Sequence, residues 1–175
     1  MTGTLIGLVG ASGAGKTSIA KVLAEFHGFE PLRFSDPIKD MLQCLGVSVD
    51  QMNHQQKDIG HVLLCGKSPR HALQTLGTEW GRNLIGPEVW IRNWEKRYAD
   101  LSNPRRVVVD DVRFQSEASL IKAYGGKLIR VCRKVAENGS HVSDVELHSI
   151  RTDFSIRNNR PISETTEYIL DLISG

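Results

Sequence analysis

The apolar run Leu5-Ile6-Gly7-Leu8-Val9 leads directly into Gly10-Ala11-Ser12-Gly13-Ala14-Gly15-Lys16-Thr17 and then into the helix-like Ser18-Ile19-Ala20-Lys21-Val22-Leu23, which leaves few folds open to this chain. The spacing G-x-x-x-x-G-K-[ST] belongs to a loop that wraps polyphosphate oxygens in backbone N–H groups. Glycine tolerates the positive φ angles and close approach that such a wrap needs. The strand before and the helix after are the context the motif requires, and the helix dipole favours anions in its first turn. Gly10, Ser12, Gly13, Ala14, Gly15 and Ser18 are expected around the phosphates, with Lys16 reaching the β- and γ-phosphates and Thr17 ligating Mg²⁺.

Length and composition set outer bounds. At 175 residues, 40% of them apolar, the chain is long enough for one domain with a full core. A formal charge of +2 with no run of five basic residues marks neither a nucleic-acid nor a membrane partner. Cys44, Cys65 and Cys132 are odd in number and lack C-x-x-C spacing, so they read as reduced packing residues rather than a disulfide framework or zinc site. No apolar stretch approaches the roughly 18 residues of a membrane span, and no cleavable leader pattern precedes the first strand. The expected compartment is the cytoplasm.

Downstream of the loop, Ile19, Val22, Leu23 and Phe26 recur at helical spacing, with Gly28 placed as a left-handed C-terminal cap. Glu30 to Phe34 is a candidate strand. Asp36-Pro37 then offers either an N-cap followed by a first-turn proline or a carboxylate aimed into a cleft beyond a strand end. Ile38, Met41, Leu42 and Leu45 stripe the helix that follows. Gly46 to Lys67 has no defensible period and is left as loop with short helix; His54 and His61 lack ligand-like spacing. Ser68-Pro69 restarts a helix on which Leu73, Leu76 and Trp80 share a face, and another runs from about Glu88 to Ala99 with Trp90, Trp94 and Tyr98 as a core-type stripe. Residues 36–100 thus form a helical insertion.

Arg105 to Asp111 reads as a buried parallel strand, a β-branched run ending in carboxylates where open α/β sheets bind ligands. One of the pair, with Asp110 taken first, would hold Mg²⁺ through water; Asp110 or Asp111 could also orient the acceptor or cap the next helix. A helix through Ala118, Ile121 and Tyr124 follows, then the strand Lys127 to Cys132. The polar segment 133–153 is a candidate lid. Phe154 to Asn158 is a last strand, and Ser163 opens a final helix. Strands alternating with helices imply a three-layer α/β fold, a P-loop NTPase core in which a five-stranded parallel sheet carries helices on both faces. Within it, Arg70, Arg82 and Arg113 are candidate phosphate clamps, because a guanidinium fork grips a monophosphate bidentately.

These residues resemble the deoxynucleoside monophosphate kinases of tailed bacteriophages, in the nucleoside-monophosphate-kinase branch of P-loop proteins. The likeness spans nearly the whole chain. It rests on Gly10 to Thr17, Phe34 to Lys39, the block Arg70 to Arg82, Trp90, Asp110-Asp111-Val112-Arg113-Phe114, Gly125-Gly126 and Asn158. It implies phosphorylation of a deoxynucleoside monophosphate by ATP with Mg²⁺, a sugar preference set by a bulky side chain such as Trp80, and a family in which homodimers occur. Arg70 and Arg82 would hold the acceptor phosphate, with Asp36, Lys39, Gln74, Trp80 and Trp90 around the rest of that substrate. Lys16, Arg113 and Arg133 would meet the transferring group, and Asn158 would sit by the donor adenine or serve as a turn asparagine. The family's lid motif His-x-Ser-Glu stands here as His141-Val142-Ser143-Asp144, with a shorter carboxylate. A dephospho-coenzyme A kinase-like enzyme and a non-catalytic nucleotide switch are the rival readings. The absence of Asn-Lys-x-Asp and of any basic stripe speaks against the switch.

Overall fold

The computed structural model describes residues 3–102, 105–133, 147 and 149–174. The chain divides into two compact units, one of residues 1–33 and 98–175 and one of Phe34–Arg97.

The first unit is built on β1 (Thr4–Val9), β2 (Glu30–Pro31), β3 (Arg106–Val112), β4 (Lys127–Cys132) and β5 (Phe154–Arg157), in the order β2-β3-β1-β4-β5. Every pairing among these strands is parallel: Leu5 lies opposite Val107 on one side of β1, and Gly7 lies opposite Leu128 on the other. Strands buried on both faces need continuous apolar sequence, and Val107, Val108 and Val109 are fully buried. Alternate residues of β1 serve opposite layers. Ile6 and Leu8 pack with Ile19 and Leu23 of α1 (Lys16–His27) and Ile169 of the C-terminal helix (Ile162–Ser174), while Gly7 faces Leu128, Val112 and Ile121. Ile121 belongs to the helix Gln115–Ala123, so helices cover both sheet faces.

Local signals explain two helix ends in this unit. Gly28 closes α1 in the left-handed conformation, its N–H donating to Leu23 O. Glu117 reaches back so that Oε2 accepts from the N–H groups of Arg113 (2.8 Å) and Phe114 (3.1 Å), satisfying donors at the start of its own helix.

The second unit holds α2 (Asp36–Cys44), short 3₁₀ turns at His54–Asp58 and Val62–Leu64, α3 (Pro69–Gln74), a π-helix over Thr75–Ile85, and most of α4 (Val89–Ala99). Leu42, Val47 and Met52 form its small core with Leu64, Ala72, Leu73 and Leu76. Ser68 caps α3 by accepting from the His71 N–H at 3.2 Å, with Pro69 in the first helical position. Phe34 stacks on Trp94, ring centroids 5.5 Å apart.

Four expectations are corrected. Asp36 does not cap α2: Ser35 precedes the helix without a side-chain cap bond, and the Asp36 carboxylate is drawn to Arg97 at 3.0 Å. The stretch Thr75–Ile85, expected as α-helix, is π-helical, and Trp80 stays 37% exposed while Leu73 and Leu76 pack on the small core. β2 stops at Pro31, short of Phe34. Cys44 and Cys65 are exposed rather than packed inside, and all three cysteines are free.

Candidate active site

Between β1 and α1 the chain turns through a loop whose dimensions exclude side chains at set points. A Cβ on Gly10 would lie 2.4 Å from Val131 O, so only hydrogen fits there. Gly15 adopts φ +99°, and a Cβ on it would stand 2.1 Å from Asn158 Nδ2. Ala14 is buried in the core cluster beneath, while Ser12, Gly13, Thr17 and Ser18 are exposed. The Lys16 ammonium turns back over the loop and donates to Gly10 O at 2.5 Å and Ala11 O at 2.9 Å. Lys16 is itself buried, so these carbonyls replace the hydration its charge would otherwise lose.

A parallel sheet brings the ends of its strands to one edge, and the loop opens there. Arg113 follows β3 and is half-buried, Arg133 follows β4 and is exposed, and Asn158 follows β5 and is buried. The Asn158 carboxamide donates to Ala14 O at 2.9 Å, inside the loop's own backbone. Asp110 is buried within β3, which continues to Val112, rather than open at a strand end. Its side chain is only 2% exposed, and Arg33 grips both oxygens through Nε (2.5 Å) and Nη2 (3.5 Å). Asp111 is half-buried. Arg33 was invisible to sequence reasoning, since 77 positions separate it from Asp110 and only the pairing of β2 with β3 makes them neighbours.

In the second unit the π-helix organises the expected substrate residues. Gly77 O accepts from Arg82 Nη1 and from Trp90 Nε1, both at 2.8 Å. Trp90 is buried against Gly81, where a Cβ would meet its ring at 2.4 Å. Trp90, expected beside the substrate, packs on the helix that carries Arg82, with its indole N–H on Gly77 O. The Trp80 ring is 37% exposed and lies 6.2 Å from that of Trp90. Lys39 and Gln74 are half-buried. Arg70 forms a two-pronged pair with Asp58, whose Oδ2 lies 3.1 Å from Nη2. The Arg70 hydrogen bond holds Asp58 below the usual carboxylate range against a smaller opposing effect of burial. Asp58 presents to the guanidinium the two-oxygen geometry of a phosphate. Nothing in the weakly patterned stretch 46–67 had marked it.

The lid motif His141-Val142-Ser143-Asp144 lies outside the described residues, as does most of segment 133–153. Among the described residues no helix is long and apolar enough to cross a membrane.

The model of the deoxynucleotide monophosphate kinase family matches residues 66–169. A protein of Acanthamoeba polyphaga mimivirus named as a deoxynucleotide monophosphate kinase is 35% identical over 186 residues, covering 98% of this chain and 96% of its own. The deoxynucleoside-5'-monophosphate kinase of Escherichia phage T5 is 40% identical over 55 residues, 31% of this chain and 22% of that one. Among solved structures, shikimate kinase from Aquifex aeolicus vf5 superposes over 98% of this chain and 97% of its own with a TM-score of 0.61 at 11% identity, a likeness of fold alone.

Proposed function

The chain belongs to the deoxynucleotide monophosphate kinase family, and we propose that it transfers the γ-phosphoryl group of ATP to deoxynucleoside monophosphates, making the diphosphates used as DNA precursors. The observation that carries the reading is the 10–17 loop with Lys16 folded across it. An ammonium held on two backbone carbonyls is a cation already in place for a polyphosphate to take over.

Phosphoryl transfer asks the protein for positioning and charge stabilisation more than for covalent chemistry. In the proposal, the loop N–H groups and Lys16 hold the donor phosphates, and Arg113 and Arg133 meet the oxygens of the group in transfer. Arg70 and Arg82 grip the acceptor phosphate. Asp36, Lys39, Gln74 and the exposed ring of Trp80 surround its sugar and base, and Trp90 acts through Gly77 and Gly81. The Thr17 hydroxyl and a carboxylate of β3 are hard oxygen donors of the kind Mg²⁺ takes, directly or through water. Asp110, which Arg33 grips, and Asp111 are both candidates for that carboxylate. Mg²⁺, when bound, would neutralise charge on the β- and γ-phosphates.

The roles given to 36–100 as acceptor-binding insertion and to 133–153 as lid, and a cytoplasmic site of action, are further parts of the proposal that rest on sequence pattern and composition, while a homodimer rests on the family resemblance. So does the sugar preference. A tryptophan packed under the sugar leaves a 2′-hydroxyl clashing or unsatisfied, worth roughly 1–3 kcal/mol, or about tenfold to hundredfold. A coupled assay of diphosphate production across ribo and deoxyribo monophosphates tests both claims. Transfer to no monophosphate refutes the kinase reading, and kcat/KM ratios near one for dGMP over GMP and dTMP over UMP refute the deoxy preference. An unchanged ratio in folded Trp80→Ala removes only that residue's role.

A further inference from the structure

Asn158 touches the phosphate loop from 144 positions away in sequence. Its own N–H donates to Cys132 O at 2.8 Å, fixing it to the end of β4. Its carboxamide Nδ2 donates to Ala14 O at 2.9 Å, and Oδ1 lies 3.4 Å from Thr165 Oγ1 on the C-terminal helix. The residue is 3% exposed, and the space above it is so small that Gly15 has no room for a Cβ.

Peptide geometry turns this contact into an orientation. In a planar trans peptide the C=O and the following N–H point in opposite directions. Pinning Ala14 O onto Asn158 therefore aims the Gly15 N–H away from Asn158. In a G-x-x-x-x-G-K-T loop that N–H, on the glycine before the lysine, belongs to the set that wraps the phosphates. A neutral amide suits this position, because an aspartate would set a negative charge against a carbonyl oxygen and beneath a polyphosphate.

We propose that Asn158 is a positioning residue of the phosphate loop, acting through Ala14 O on the Gly15 N–H, and that it does not read the donor base. The proposal rests on residues 10–17 being the donor's phosphate cradle. Its probe is inorganic tripolyphosphate, which has no base to read. Calorimetric titration of wild type, Asn158→Ala and Asn158→Asp with tripolyphosphate, ATP and GTP is the test, with steady-state KM for the acceptor measured alongside. Both variants should bind all three ligands roughly tenfold more weakly, with the ATP-to-GTP affinity ratio and the acceptor KM unchanged. Wild-type tripolyphosphate affinity in Asn158→Ala, with a changed ATP-to-GTP ratio, overturns the proposal in favour of base contact. A wild type that binds no tripolyphosphate overturns the cradle reading and this proposal with it, so the two failures are distinguishable. ¹⁵N NMR of the wild type reads the same question without a variant. The Asn158 side-chain amide resonances should shift with tripolyphosphate as they do with ATP, and a shift with ATP alone counts against the idea.

Discussion

Replacing Arg33 with methionine keeps the aliphatic stem and removes the guanidinium that neutralises Asp110. The Asp110 side chain is 2% exposed and that of Arg33 25%, so the carboxylate loses its partner where water barely reaches. Breaking a buried pair from one side costs roughly 3–5 kcal/mol, and the quarter exposure of Arg33 places the expectation near the lower end, about 3 kcal/mol. Asp110→Asn leaves a neutral amide and an arginine that can turn to solvent, for a loss of about 1–2 kcal/mol. The double variant should lose measurably less than the sum of the singles, because it leaves no buried charge unpaired. Urea unfolding followed by far-ultraviolet circular dichroism gives the three free energies. Trp80, Trp90 and Trp94 all lie in the second unit, so their fluorescence reports whether that unit unfolds in the same transition. Additive losses, or an Arg33→Met penalty under about 1 kcal/mol, would refute the view that the pair is a coupled anchor of β3. Mg²⁺ is tested alongside: the enhancement of ATP binding by Mg²⁺ should be lost in Asp110→Asn or in Asp111→Asn, and its persistence in both would refute a β3 carboxylate as ligand.

Lys16→Ala should abolish phosphoryl transfer and leave the circular dichroism spectrum unchanged, since its ammonium lies on the loop carbonyls of Gly10 and Ala11; wild-type turnover would remove the loop from the mechanism. Arg70→Ala and Arg82→Ala should each raise KM for the monophosphate by about tenfold to hundredfold, the equivalent of roughly 1.5–3 kcal/mol, with KM for ATP hardly moved. A rise in KM for ATP instead would assign the two arginines to the donor. Asp153→Asn tests electrostatics at the start of β4, where its carboxylate meets Leu128 and Lys122. Burial alone would raise the Asp153 pKa, but the Lys122 ammonium at 2.5 Å and the Leu128 N–H at 2.7 Å outweigh it and hold the carboxyl below its ordinary range. A lowered folded pKa gives stability that is full above the unfolded pKa and is lost as pH falls through the folded one. The variant should therefore be less stable by about 0.5–1.5 kcal/mol at pH 7, a gap that narrows as pH drops below about 4. Urea midpoints at pH 7 and pH 3 measure it, and a constant gap would refute the linkage.

The phosphate loop could be read from sequence because everything that specifies it is local: a strand, glycines where side chains cannot fit, and a helix beginning at Lys16. Short-range chemistry likewise made the Gly28 and Ser68 helix ends legible, and strand–helix alternation was enough for the parallel α/β fold, since parallel neighbours need crossover connections. Residues 75–85 mark where local reading fails: periodicity predicts an α-helix there, whereas the chain is π-helical from Thr75 and Trp90 packs against the bare backbone of Gly81. The Asp36 cap failed for a related reason, because the carboxylate has a stronger partner in Arg97, 61 positions on. What holds the site's key groups was decided by the tertiary structure alone. Arg33 reaches Asp110 only because β2 pairs with β3, and Asn158 reaches Ala14 only because β5 ends beside the loop. Sequence spacing encodes backbone conformation over a few residues, whereas the partner of a buried polar group is chosen by whichever strand the sheet brings alongside it, and that choice leaves no local trace.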